Sequence, residues 1–493
     1  MKRLSTIRHG QSQGNKQKII QGKTTNLELT DEGKDNIRNI VNKNIEELSI
    51  AKRIVTSPYK RTIETSKIIS ELTGISIVIN EKIIEFDAGI LSGHTHNENA
   101  KKYPEYYKVW LERGDLDKIP GAEKGNELQA RVIAFLMEYY DKEEFLDIVV
   151  SHAGFLRCLI NTSRGVHRTT QLNSENGAIH IIDNPFESLK IEHKNRAMSS
   201  KVYIIETFEE KYVVKLKNRK LQKEDFEEKR ILNLLDNYLE NVPIIYHLSE
   251  TNSGSIKVLK FVNGNTIFGI LDSATQKALI EQFCKMRDIL KNIKSKLYNP
   301  NNIYSEVEKL VKMTKRDYVK RYGQSILEDK FNKSELEISN YSLIHNDLNR
   351  DNILFLKNKD GTVIVNIIDW EGIGLYPYDY QLASFLVTSF LIEGYSVEET
   401  IKIAKQIDFN INEKFIIYLM KFRIFKGLYF FVESENIYTV NNQNISNEIL
   451  KKYFFAAEKL KLYEVKNNLI GISNSSNRMK NINSIQFDDE RKI

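Results

Sequence analysis

Cysteine is almost missing from this 493-residue chain. Only Cys158 and Cys284 occur, far apart and without metal-ligand spacing, which excludes a disulfide framework and fits a reducing, cytoplasmic setting. Apolar runs long enough to cross a bilayer are missing too. The longest weakly charged stretch, "QLASFLVTSFLI" at 381–392, is too short to span and reads as a buried helix. The N-terminus, "MKRLSTIRHG", has no apolar h-region, so no signal peptide is read there. A large excess of one charge is missing as well: 72 basic against 66 acidic residues leave +6, too mild at this length to indicate a nucleic-acid partner. There is no internal repeat and no long Gly/Ser linker.

What is present is an ordinary soluble balance, 41% hydrophobic and 28% charged, in a chain too long for one core; two or three domains follow. The first 190 or so residues alternate strand-like and helix-like segments. "RIVTSP" (53–58) is a strand ending in a turn, with Ser57 as helix N-cap and Pro58 as first helical residue. "LDIVVSHAG" (146–154) is a strand before a helix that begins near Phe155, and "GAIHIID" (177–183) is a third strand. Such alternation implies a largely parallel α/β sheet, in which ligands sit beyond the carboxyl ends of the strands. His9 and His152 both fall at such ends.

After Asn195 the pattern changes. "KVYIIETFEEKYVVKLKN" (201–218) reads as two antiparallel strands, "KEDFEEKRILNLLDNYL" (223–239) as an amphipathic helix, and "SIKVLKFVNGNTI" (255–267) as a strand and turn. From about 272 the chain is mostly helical, interrupted by one β-containing segment near 343–369. From Lys466 it is rich in Asn and Ser without periodicity and reads as a disordered tail. The organisation expected is therefore 1–195, 196–465 and a tail, 466–493.

"LSTIRHGQSQGN" (4–15) raises the question of chemistry. Removing a phosphoryl group without metal needs a nucleophile, fixed positive charge and an acid for the leaving oxygen. His9 suits the first if a backbone carbonyl holds its other nitrogen. Arg8 beside it supplies a bidentate clamp, and Arg61 in "SPYKRTIETS" a second. His152 in "VVSHAGF" adds a donor if protonated beside the anion. Glu85 in "IIEFDAGILSG" is a carboxyl in an apolar stretch, where burial favours general-acid use. Alone, each has a bland reading: Arg-His-Gly as a surface turn, a strand-end histidine as structural, Glu85 as a solvated charge. Taken in order, "RHGQSQGN", "LTDEGK", "VTSPYKRTIETS", "EFDAGILSG" and "SHAGFLRCL" resemble the histidine phosphatase superfamily, whose fold is the three-layer α/β, phosphoglycerate-mutase-like one. The resemblance implies a phosphohistidine at His9, a phosphate pocket of Arg8, Arg61 and His152 assisted by Asn15, Glu85 as proton donor, and no cofactor. Gln11 stands where many members have Glu. The lid, His94 to Glu127, is short for a mutase, which favours a phosphatase. His94 and His96 have metal-compatible spacing but no third ligand, and read as lid residues.

"YSLIHNDLNRDNILF" (341–355) is the most specific string. Asp347 suits the base that orients an incoming hydroxyl; Asn352, and Asp369 in "VNIIDWEG", suit Mg²⁺ ligands. Lys215 in "YVVKL" is a mid-strand cation that ATP phosphates would explain, with Glu228 on the next helix to hold it. The bland alternative is a polar loop and an edge-strand lysine. This half resembles the aminoglycoside phosphotransferase and choline kinase family, which implies an α+β protein-kinase-like fold using ATP and Mg²⁺. The phosphate-loop counterpart, "NRAMSSKVY", lacks glycine, leaving Ser199 and Ser200 as substitutes. "DWE" in place of "DFG", with no "APE", favours a small-molecule acceptor; "HND" leans towards the choline-kinase-like branch. Asp379 in "YPYDYQLASF" reads as a structural anchor. The aromatics around Trp370 and 427–433 read as core. The reading is a bifunctional cytoplasmic enzyme with two small-molecule substrates, a phosphate ester and an alcohol (a sugar, polyol or amino alcohol), in one pathway for cell-envelope precursors. The alternatives are a regulatory protein with an inactive kinase-like domain, and a phosphomutase in the N-terminal half.

Overall fold

Period-two alternation in the early strands decides the N-terminal architecture. In the computed structural model, which describes residues 1–112, 116–172, 174–194, 200–298, 300, 302–329, 340–433 and 443–473, the first sheet has five strands: β1 (Lys2–Arg8), β2 (Arg53–Thr56), β3 (Ile77–Ile79), β4 (Phe145–Ser151) and β5 (Ile179–Asp183), in the order β3-β2-β4-β1-β5. The first four run parallel and β5 is antiparallel to β1. Leu4, Val55 and Val149 face the helices Gly125–Tyr140 and Ala153–Arg164, burying Phe135, Tyr139 and Phe155. Ile7, Ile54, Ile148 and Val150 face the helices Asp31–Lys43 and Lys60–Thr73. The result is a three-layer α/β domain.

One helix start differs from expectation. The helix after β2 begins at Lys60 with Tyr59 as N-cap, not at Pro58 with Ser57. Ser57 is held instead by the sheet edge, its N–H donating to Val150 O at 3.1 Å, and its hydroxyl is committed to His152 (below). The helix Ala153–Arg164 ends at Gly165, whose φ of +68° is the left-handed region glycine enters without steric penalty.

A second five-stranded sheet follows: β6 (Lys190–Lys194), β7 (Lys201–Glu206), β8 (Lys211–Lys217), β9 (Ile245–Glu250) and β10 (Ser255–Lys260), all antiparallel, ordered β6-β7-β8-β10-β9. β6 and β9 were not anticipated. One face of this sheet, with Tyr203, Ile205, Tyr212, Val214, Ile256 and Val258, packs on Ala130, Ile133, Ala134 and Met137 of the helix Gly125–Tyr140. That packing decides the compact units. The first comprises Met1–Asn237 with Val242–Val262; the second comprises Tyr238–Asn241 with the chain from Asn263 onward. The compact units thus divide after Val262, because the small sheet shares a core with the helix Gly125–Tyr140.

The second unit pairs β11 (Tyr341–Ile344) with β14 (Gly374–Pro377), and β12 (Ile353–Lys357) with β13 (Val363–Ile367), both antiparallel. Helices surround them. Phe283 of Ser273–Asn292 stacks on Phe385 of Tyr378–Ser389 with ring centroids 3.9 Å apart. The helix Gln443–Ser473 runs past Lys466, where a tail was expected to begin; the rest of that tail lies outside the described residues. The stretch 381–391 is buried, as its composition implies. Among the described residues, no helix is long and apolar enough to cross a membrane.

Candidate active sites

The strand end at β1 delivers His9 to a buried position beside the end of β4, where His9 N–H donates to Ser151 O at 3.0 Å. His9 Nδ1 lies 2.7 Å from Gly10 O. A carbonyl only accepts, so Nδ1 carries the proton and Nε2 keeps its lone pair. Burial, and then the charges of Arg61 and Arg8, push the His9 pKa well below its ordinary value, which keeps the imidazole neutral. His9 and His152 stand edge to face with centroids 5.2 Å apart.

Arg61 lies in the first turn of the helix after β2 and is buried. Its Nε donates to His152 Nδ1 at 3.2 Å and its Nη1 to Thr25 O at 2.9 Å; the guanidinium lies 4.9 Å from the centroid of the Tyr59 ring. Burial lowers its pKa to about 10, against the opposing pull of Glu85. Because Arg61 occupies His152 Nδ1 as donor, the His152 proton is on Nε2, which faces Ser57 Oγ at 2.8 Å. Burial, with Arg61 next, lowers the His152 pKa strongly. The sequence reading cast His152 as a protonated phosphate donor. In this arrangement it is neutral and both ring nitrogens are engaged, so donation to a phosphate requires Nε2–H to leave Ser57.

Glu85 was expected in apolar surroundings. It is half-buried, and its carboxylate accepts from the N–H groups of Phe86 (3.0 Å), Gly154 (3.3 Å) and Phe155 (3.2 Å). The helix N-terminus after His152 therefore sets its position. Arg8 donates to Ser174 O, and its charge acts on both His9 and Arg61. Asn15 Oδ1 accepts from Ser12 N (3.1 Å), Ser12 Oγ (2.9 Å) and Asn176 Nδ2 (3.2 Å), and Asn176 also donates to His9 O at 3.0 Å. Thr65, which accepts from Gly10 N at 3.1 Å and donates to Arg61 O at 2.7 Å, ties the strand end to the arginine helix. Asn176, Thr65 and Tyr59 were missed: single polar residues far apart in sequence carry no spacing signal. In the lid segment, His94 Nδ1 lies 3.1 Å from Ser92 O and His96 Nδ1 lies 2.9 Å from Tyr107 OH.

In the small sheet, Lys215 sits on β8 directly across from Lys257 on β10. Lys257 is buried and its ammonium meets Glu228 at 2.5 Å and Asp225 at 3.8 Å. Lys257, in "SIKVLKF", is a mid-strand cation as informative as Lys215, and it was overlooked. Ser199 lies outside the described residues; Ser200 precedes β7.

In the second unit, Asp347 is fixed by amides. Asn349 Nδ2 donates to its Oδ1 at 3.0 Å and Asn352 Nδ2 to its Oδ2 at 3.1 Å. Arg423, which was not singled out, places Nη2 3.6 Å from Oδ1. With its amide nitrogen turned to Asp347, Asn352 keeps its oxygen for another partner. Ile368 N–H donates to Asn352 O at 2.9 Å, so Asp369 and Asn352 spring from adjoining backbone. Asp369 has φ of +59°, an uncommon conformation for a non-glycine residue and one found at functional turns. His345 is buried, its Nε2 3.0 Å from Ile368 O, and its pKa is lowered by burial against the opposing charges of Asp347 and Asp369. An amide oxygen and a carboxylate make an all-oxygen donor pair that suits a hard divalent cation such as Mg²⁺. Asp379 meets Arg287 at 3.6 Å.

A neutral, tautomer-locked histidine stands beside Arg8 and Arg61 at the carboxyl end of the parallel sheet. Residues 4–196 match the family model of the histidine phosphatase superfamily (branch 1), and the chain belongs to that superfamily. Residues 194–404 match the phosphotransferase enzyme family, so a phosphatase/mutase-type domain and a phosphotransferase domain share one chain. The chain is 30% identical over 187 residues to the probable phosphoglycerate mutase GpmB of Enterobacter sp. (strain 638), covering 37% of this chain and 85% of that protein. It is also 30% identical over 168 residues to the same-named protein of Escherichia coli O139:H28, covering 34% and 76%. Among solved structures it is similar to Bacillus stearothermophilus YhfR (TM-score 0.34, 21% identity, 40% of this chain and 93% of that one). It is also similar to the GDP and kanamycin complex of an APH(2") phosphotransferase (TM-score 0.43, 17% identity, 56% and 93%).

Proposed function

We propose that residues 1–195 hydrolyse a phosphomonoester through a phosphohistidine and that residues 196–465 transfer a phosphoryl group from ATP to a small-molecule hydroxyl. The first assignment rests on one observation: His9 Nδ1 is held by Gly10 O, so Nε2 of a neutral ring is the free nucleophile. Nε2 attacks phosphorus, the P–O ester bond breaks, and Glu85 protonates the leaving oxygen. Water then attacks the phosphohistidine, giving its proton to Glu85 and returning phosphate. Arg8, Arg61 and Asn15 hold the non-bridging oxygens, and His152 adds its Nε2–H once released from Ser57. Acid-labile phosphoryl-enzyme should accumulate with p-nitrophenyl phosphate, and His9→Ala should abolish both the adduct and turnover. Hydrolysis that survives His9→Ala overturns this assignment.

In the kinase domain Asp347 orients the acceptor hydroxyl, and Asn352 Oδ1 with Asp369 would hold Mg²⁺. When bound, that ion neutralises charge on the transferred group. Lys215 is assigned to the nucleotide phosphates, with Ser199 and Ser200 in place of a glycine-rich loop, and Glu228 holds Lys257 directly across from it. Alcohol-dependent ADP release should fall about 10²–10⁴-fold in Asp347→Asn; no ATP turnover with any alcohol in a sugar, polyol and amino-alcohol panel favours a regulatory protein. A mutase reading is favoured by the names of the curated relatives. Transfer from 3-phosphoglycerate between hydroxyls without phosphate release would support it, and steady release to water counts against it. Both activities serve one cytoplasmic route to cell-envelope precursors. Unrelated substrate sets for the two domains sink that last idea.

A further inference from the structure

A cavity of about 800 Å³ lies within the first unit. One wall is the segment from Ile79 to Asp87 with the helix Gly125–Tyr140; the other is β9 with Lys220 and Lys229. No residue of the proposed catalytic sets lines it. Its carboxylates are largely committed. Glu123 takes Arg131 at 2.9 and 2.7 Å. Glu138 takes Lys82 at 2.9 Å and Asn80 at 2.8 Å. Glu250 pairs with Lys220 at 3.3 Å. Glu127 and Asp87 accept the N–H groups of Lys124 and Gly89 at 3.1 and 2.9 Å. Glu81 is exposed.

Lys229 is different. It is half-buried, and its ammonium reaches only Tyr246 O, at 3.3 Å, with no carboxylate at ion-pair distance among the described residues. Burial pushes its pKa below the ordinary lysine value, against the opposing charges of Glu127 and Glu123, which lie beyond ion-pair distance. Lys23 is also weakly matched, 3.7 Å from a Glu123 that Arg131 already holds. His247 lines the same cavity, its Nε2 3.0 Å from Ser249 Oγ. The charges that bear on its ring are those of Arg131, Lys82, Lys229 and Lys23, all cations; burial, followed by these charges, lowers its pKa to about 3.

We propose that this cavity binds a small phosphorylated anion, seated on Lys229 and Lys23 beside His247. A desolvated ammonium with no carboxylate in direct contact is costly to keep, and a phosphoryl dianion supplies close countercharge with charge-assisted hydrogen bonds. The volume suits a metabolite. One wall belongs to the phosphatase domain and the other to the phosphotransferase small sheet, so the ligand would touch both.

Calorimetric titration of the full chain with inorganic phosphate tests this. Two equivalents are expected, one lost in Arg61→Ala, the other weakened about tenfold or more in Lys229→Met. Lys229→Met should also raise the melting temperature without phosphate and leave p-nitrophenyl phosphate hydrolysis unchanged, so failure here is distinguishable from failure of the phosphatase assignment. Lys23→Gln serves as the second variant and should weaken the same equivalent. Glycerol 3-phosphate titrated into His9→Ala separates the sources: tighter binding than inorganic phosphate at the Lys229 site assigns an ester, equal binding a free phosphate. A single equivalent of phosphate, unaltered by Lys229→Met or Lys23→Gln, overturns the proposal.

Discussion

Ser57 Oγ takes His152 Nε2–H at 2.8 Å, a contact that competes with the phosphate for that N–H, so Ser57→Ala should lower KM for p-nitrophenyl phosphate up to about tenfold in steady-state assays. A Cβ added to Gly154 would come within 2.4 Å of Phe86 Cδ1 and 2.6 Å of Glu85 Oε1. Gly154→Ala should therefore displace the proton donor and depress kcat more than KM in steady-state assays. His9 and His152 titrate in the folded protein well below the unfolded value of about 6.5. As pH falls through 6.5 the unfolded chain binds protons that the folded one does not. Stability is therefore retained above that pH and lost below it, by up to about 1.4 kcal/mol per pH unit per histidine. Urea midpoints at pH 7.5, 6.0 and 5.0 should fall in that order; equal midpoints would show that neither ring is held neutral. These residues were legible because strand-end histidines and arginines sat in recognisable strings. Asn176, Thr65 and Ser57's true partner were not, since each contact joins segments far apart along the chain.

The helix Gly125–Tyr140 serves two cores at once. Phe135 and Tyr139 face the first sheet, while Ile133 and Met137 face the second. Ile133→Ala, a buried truncation, should cost about 2–4 kcal/mol and lower the unfolding midpoint of both sheets together in a urea titration followed by hydrogen exchange. Separate transitions would contradict the shared core. The double-sided burial of this helix is not legible in its sequence, because apolar composition does not say which partner covers which side. β6 and β9 went unread for a related reason. "KIEHK" and "IYHLSE" are partly exposed strands, and edge strands lack the alternation that a half-buried strand displays.

The unit boundary after Val262 bears on any attempt to divide the protein. A fragment of residues 196–465 would expose the sheet face of Tyr203, Ile205, Tyr212, Val214, Ile256 and Val258 that the helix Gly125–Tyr140 covers. Expressed alone, it should bind a hydrophobic dye and aggregate, whereas the full chain should not; a well-folded, dye-silent fragment would refute this. The sequence was enough for the two families and their fold classes, because motif strings and hydrophobic period are local properties that a chain displays without folding. It was not enough for the tautomers of His9 and His152, the pairing of Lys257 with Glu228, or the sharing of one helix between two sheets. Those depend on which distant groups meet in a low-dielectric interior, and that follows from packing in three dimensions.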